Sequence, residues 1–190
     1  MFLARRVAGL LTRPAAEWTR IAAEPDDVTS ICQGYVGILA LMPAGSTLAG
    51  IAMAGGRFLG AAGITTAITA AVVGWLMAIG SSVAAAALVE KTAPVFQADG
   101  DLTQAFKLVG YAMTPVWLTG VLFLLGPSQP VAVVGWVWAG YLYYRGLPIV
   151  MKTPPPRVAP YFVASALAVL LVNVLLRWVF AALKVPYLGY

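Results

Sequence analysis

The chain has 190 residues, of which 61% are hydrophobic and only 10% charged, with a mean hydropathy of +0.87, whereas an ordinary soluble domain carries about 25% charged residues. Histidine is absent and Cys32 is the single cysteine, which excludes an internal disulfide, Cys/His zinc centres and histidine-based catalysis. The net charge of +5 comes from scattered basic residues and reads as an orientation signal in a membrane protein, so no nucleic-acid partner is expected.

Arg5 and Arg6 precede a short apolar stretch, Val7 to Leu11, that is too short for a signal-peptide core. Phe2 to Leu11 puts apolar residues beside basic ones, and Pro14 to Ala23 can form a helix with Trp18, Ile21 and Ala22 on one side. The segment 1–27 therefore reads either as an interfacial amphipathic helix or as a basic tail that enforces topology.

A spanning helix needs about 20 largely apolar residues. The uncharged run Val28 to Gly56 supplies a first span near 31–53, with Asp26 and Asp27 placed to cap it and Pro43 placed to kink it. Phe58 to Val89 supplies a second near 64–89, ended by Glu90 and Lys91. A polar connection comes next, holding Pro94, Asp99, Gly100 and Asp101. Leu108 to Tyr144 is broken by Gly126-Pro127-Ser128-Gln129-Pro130, which reads as a turn between a third span near 108–125 and a fourth near 131–150. Lys152-Thr153-Pro154-Pro155-Pro156-Arg157 reads as a stiff, extended connection to a fifth span near 158–177, with a short tail over 184–190. The fold class expected is all-α: a transmembrane bundle of about five helices over 28–183.

Lysine and arginine favour the cytoplasmic side of short loops. Five spans place Arg5, Arg6, Arg13, Arg20, Lys91, Lys107, Arg145, Lys152 and Arg157 on one side and Arg57, Arg177 and Lys184 on the other. That imbalance predicts a cytoplasmic N-terminus and an external C-terminus.

Gly56-Arg57-Phe58-Leu59-Gly60 matches G-x-x-x-G and reads as tight packing within the bundle, or as a dimer face. Asp99-Gly100-Asp101 has carboxylates around a glycine, but Asp101 with Gln104 three residues on reads as a helix cap rather than a cation loop. No charge falls at a predicted span centre; Glu90 lies near an end, and Asn173 with Thr65, Thr66, Thr69 and Thr119 is the main polar content inside the spans. Pro115 falls early in the third span and predicts a bend there.

Three segments carry a family likeness: Arg13-Pro14-Ala15-Ala16-Glu17-Trp18-Thr19-Arg20-Ile21-Ala22, Ala105 through Gly110-Tyr111-Ala112-Met113-Thr114-Pro115, and Tyr141 to Lys152 with Gly146-Leu147-Pro148. Together with the topology they make the chain resemble the Yip-domain proteins, five-span membrane proteins first known as Rab-GTPase interactors of the early secretory pathway. The bacterial branch of inner-membrane members is the nearer likeness. The resemblance implies Pro14, Trp18, Gly110, Tyr111, Pro115, Gly146 and Pro148 as family-like positions. Eukaryotic members have a longer cytosolic N-terminal region, so Rab binding is not carried over.

The resulting expectation is a non-enzymatic membrane protein of the bacterial inner membrane, without cofactor. It would work by association with membrane lipids, with other membrane proteins or with further copies of itself. A transporter or channel for a small solute, ion or lipid, with a path near the threonines, Asn173 and Glu90, is the alternative. A cytoplasmic-face enzyme using Glu90, Asp99 or Asp101 ranks below both, since no base, nucleophile or metal set accompanies them.

Overall fold

The computed structural model describes residues 2–53, 60–125 and 132–182, and these are helical without any strand. In chain order they form α1 (Phe2–Thr12), α2 (Pro14–Ala23), α3 (Val28–Ile31), a π turn (Cys32–Val36), α4 (Gly37–Met53), α5 (Gly60–Thr92), a 3-10 turn (Ala93–Phe96), α6 (Leu102–Ala112), α7 (Thr114–Thr119), a 3-10 segment (Gly120–Leu125), α8 (Ala132–Val150) and α9 (Pro155–Ala182). Most of the G-x-x-x-G run, the turn at 126–130 and the tail from 183 lie outside the described residues.

Four stretches are long and apolar enough to cross a membrane: Val28–Gly50, Gly63–Phe96, Leu102–Leu122 and Pro155–Leu176. The helix α8 has 19 residues, about 28 Å at 1.5 Å per residue, but its tryptophans, tyrosines and Arg145 make it less apolar than these four. The start of α3 has a local cause. Asp27 and Ser30 form a reciprocal cap on α3, with Ser30 N–H donating to Asp27 Oδ1 at 2.8 Å and Asp27 N–H donating to Ser30 Oγ at 3.2 Å. Hydrogen bonds from the Ser30 side chain and backbone hold the Asp27 carboxyl below the usual carboxylate range. A depressed folded-state pKa contributes stability above the unfolded value, and that stability is lost as pH falls through the folded one. The protection factor of the Ser30 amide should therefore fall below about pH 4, and Asp27→Asn should flatten this dependence in hydrogen exchange.

The π turn leaves Gly37 against the Cys32 carbonyl, where an added Cβ would lie 2.9 Å away. The Trp75 indole donates to the Gly37 carbonyl at 2.8 Å, tying α4 to α5. With 33 residues, α5 is about 50 Å long, so it outreaches the roughly 30 Å hydrocarbon layer. Gln97 (φ 57) and Lys152 (φ 50) are the left-handed residues at which the chain reverses after α5 and after α8. Those two reversals clasp each other: Asp99 N–H donates to the Met151 carbonyl at 2.9 Å, and Gly100 lies so close that a Cβ would be 2.6 Å from Met151 Sδ.

At Met113 the third-span segment breaks between α6 and α7, with Pro115 in the first turn of α7. Proline has no N–H for the carbonyl four residues back, here that of Tyr111. The Thr114 hydroxyl takes that place, donating to the Tyr111 carbonyl at 2.6 Å, and the Tyr35 hydroxyl lies 2.7 Å from Thr114 Oγ1. Both partners are buried, so Thr114→Val should cost about 1–3 kcal/mol, read as a lowered unfolding midpoint in detergent. A Tyr35→Phe variant should lose less, since it leaves the Tyr111 carbonyl satisfied.

The prolines after α8 depart from the extended connection read in the sequence. Pro155 and Pro156 begin α9, where the first-turn N–H groups have no intrahelical acceptor and proline costs nothing. Packing is concentrated at one end of the molecule. Trp18, Tyr35, Phe106, Tyr111, Leu147 and Tyr161 are all fully buried there. Along the rest of α5, α8 and α9, large side chains such as Ile68, Leu76, Val137, Leu167 and Leu171 are half or more exposed. Within the apolar part of Pro155–Leu176 only 17% is buried, against 72% within that of Leu102–Leu122. A polytopic membrane protein with a protein-packed cap at one end and lipid-facing helices beyond it has this distribution.

Candidate functional site

The amphipathic N-terminal segment forms two helices whose apolar sides pack on the cap. In α2, Trp18 and Ile21 are fully buried, and Leu10 of α1 is buried with them. The two helices close at Gly9, where a Cβ would lie 2.5 Å from Glu17 Oε2. Between them Arg6 is enclosed: one nitrogen donates to Glu17 Oε1 at 2.6 Å and the other to both carboxylate oxygens of Glu24, at 2.5 Å to Oε1. Side-chain exposure is 2% for Arg6 and 7% for Glu17, so this is an internal ion pair. Burial pulls the Arg6 pKa down, but the hydrogen bond and charge of Glu24, with Tyr111 and Glu17 behind them, hold it above its ordinary value. Arg20 donates to the second Glu17 oxygen at 3.1 Å.

Residues of α6 hold the end of α2. The Lys107 ammonium, buried with its side chain, donates to the Glu24 backbone carbonyl at 2.5 Å, and the Gln104 amide donates to that of Ala22 at 3.4 Å. A cation at the carboxyl end of a helix also meets the negative end of its dipole. The Arg6 guanidinium lies 5.5 Å over the Tyr111 ring, and Tyr111 is tilted against Tyr35 at 4.4 Å. A continuous chain of contacts thus runs from Arg6 through Tyr111 and Tyr35 to Thr114 at the Pro115 break.

Most of the family-like positions come together here. Pro14 opens α2 in its first turn. A Cβ on Gly146 would lie 2.5 Å from Leu108 Cδ1 and 3.0 Å from Trp18 Cε2, so glycine there lets α8 lie on α2 and α6. Gly110 likewise faces Val36, with 2.9 Å to a virtual Cβ. Pro148 alone among them is exposed, inside α8. A model of the Yip1 domain matches residues 8–176. The chain belongs to the Yip1 family. No curated protein and no solved structure matches it.

In this Yip1 chain the polar candidates scatter. Glu90 sits half-buried near the end of α5. Asp99 is exposed and pairs with Lys152 at 3.4 Å, while Asp101 caps α6 by accepting from Gln104 N–H at 2.8 Å. Among the described residues no three His, Cys, Asp or Glu side chains come close enough to hold a metal. Asn173 donates to the Val169 carbonyl of its own helix at 2.9 Å. It also lines a cleft of about 420 Å³ between α8 and α9, walled by Trp136, Tyr143, Phe162, Leu170 and Met113, within the roughly 300–1,000 Å³ of small-molecule sites. A smaller, mainly apolar space of about 50 Å³ beside Ser81, Ser82 and Pro43 shares Met113, Trp136 and Asn173 with it.

Sequence reading missed the cluster of Arg6, Glu17, Glu24 and Lys107. Its one local signal is Glu17 and Glu24 seven residues apart, two turns along one helical face, with Trp18 and Ile21 beside them.

Proposed function

We propose that this Yip1-domain protein is a non-enzymatic, five-span protein of the bacterial inner membrane that works by associating with lipid or protein partners and so organises the membrane around it. The observation that carries this reading is the α8–α9 cleft, whose lining is apolar and aromatic apart from Asn173 and bears no charge. Such a surface accepts an acyl chain or an apolar helix better than a hydrated solute. In this reading α8 is the fifth crossing helix, and the packed cap with Arg6, Lys107, Lys152 and Arg157 lies on the cytoplasmic side, in keeping with the basic excess. Photo-crosslinking from Trp136 or Leu170 positions in native membranes should recover a defined lipid or protein. Recovery of the unmodified monomer alone would overturn the reading.

A second reading, passive transport, has its own support in the small space beside the Ser81 and Ser82 side chains that adjoins the cleft at Asn173. It requires flux in proteoliposomes that Asn173→Leu abolishes.

A further inference from the structure

The cap contains a cavity of about 210 Å³ lined by Arg5, Arg6, Glu17, Arg20 and Glu24. The structure assigns to this cavity a phosphate-bearing anionic ligand, the headgroup of an anionic phospholipid, held by Arg5 and Arg20 at the mouth. This assignment names the lipid chemistry within the association proposed above and rests on that reading.

The charges inside the cavity decide the sign of the ligand. Three guanidiniums face two carboxylates, leaving a net positive site. Both carboxylates are already engaged: Glu24 by Arg6, and Glu17 by Arg6 and Arg20. Their negative charge is therefore spent internally, on a floor formed by Arg6 and Glu17 at 2% and 7% exposure. At the mouth, the Arg20 side chain is 53% exposed and uses one nitrogen on Glu17, and Arg5 is exposed. Arg5 and Arg20 both line the cavity above its charged floor, and each guanidinium with donors to spare is a planar fork of the kind phosphate oxygens accept bidentately. The cavity also lies where a lipid headgroup can reach it. In the orientation proposed above, the cap sits on the cytoplasmic side of the spanning helices, the level of that leaflet's headgroups, where basic side chains are drawn to anionic lipid.

The test is thermal unfolding of the full chain in a neutral detergent, with phosphatidylglycerol, phosphatidylcholine or inorganic phosphate added. Phosphatidylglycerol should raise the midpoint by several degrees and phosphatidylcholine by much less. Arg5→Gln/Arg20→Gln should remove at least half of the phosphatidylglycerol shift, whereas Arg145→Gln/Arg157→Gln, with the same loss of charge at other exposed sites, should keep it. Arg5→Gln alone, which touches no ion pair of the cap, should lose part of it and guards against a folding defect in the double variant. An equal shift with inorganic phosphate, removed by the same double variant, would uphold the phosphate chemistry and overturn the lipid source. An undiminished phosphatidylglycerol shift in Arg5→Gln/Arg20→Gln, or an equal loss in both double variants, would overturn the site. Failure of the broader association reading shows separately, as an absence of crosslinked partners at the α8–α9 cleft.

Discussion

Arg6→Met is expected to destabilise the protein by about 3–5 kcal/mol, the range for removing one partner of a buried ion pair. The substitution leaves Glu17, 7% exposed, with only Arg20, and takes from Glu24 the nitrogen that donates to both of its carboxylate oxygens. It also takes the cation from the Tyr111 face. Arg6→Lys should recover only part of the loss, because an ammonium cannot span both carboxylates in one plane. Arg6→Met/Glu17→Gln should recover more, because it removes the stranded charge. Equilibrium unfolding in mixed detergent micelles, followed by tryptophan fluorescence, reads all three. A loss below about 1 kcal/mol for Arg6→Met would place the pair among surface ion pairs and contradict the enclosed cap.

Trp18→Ala should have a comparable effect, about 3–5 kcal/mol, because the ring is fully buried against Leu108 and Gly146. Trp18→Phe should cost much less, since the indole N–H makes no hydrogen bond among the described residues and most of the apolar area is kept. Gly146→Ala approaches the same ring from the other side and should cost about 1–3 kcal/mol by overpacking. The Leu108 methyl ends a flexible side chain and can turn aside more easily than the rigid, buried indole edge. The two sites should therefore couple: in Trp18→Ala the added methyl of Gly146→Ala enters vacated space, and its penalty should vanish or reverse. Additive losses would show that α2 and α8 do not meet at this point.

The membrane helices were legible because lipid imposes long uncharged runs, and the structure places helices on each run that it describes. Asp27, Asp101 and Pro115 were legible for a different reason: a cap or a proline acts on carbonyls and amides within four residues of itself, so its effect is written locally. Pro155 and Pro156 misled because consecutive prolines favour both an extended chain and a helix start, and the choice between them is made by the helix-forming residues downstream. The cap was not legible. Arg6, Glu17 and Glu24 look like solvated charges until the fold brings them together, and Lys107 meets Glu24 across 83 residues of sequence. The π turn at Cys32–Val36 has no local signature either. It becomes intelligible only with the Trp75 indole bonded to the adjoining carbonyl.

The contact between Trp18 and Gly146 also bears on how the protein is made. The first helical pair leaves the ribosome before the lysine that secures its end and the glycine that receives its tryptophan have been synthesised. At about 5–20 residues per second, that wait is on the order of ten seconds. During that time Arg6 can already join Glu17 and Glu24 within the nascent chain, but the indole and the carbonyl of Glu24 have only water, lipid or a chaperone to meet. The α1–α2 pair is therefore made well before its seat, and it closes over the bundle only when α8 has been delivered.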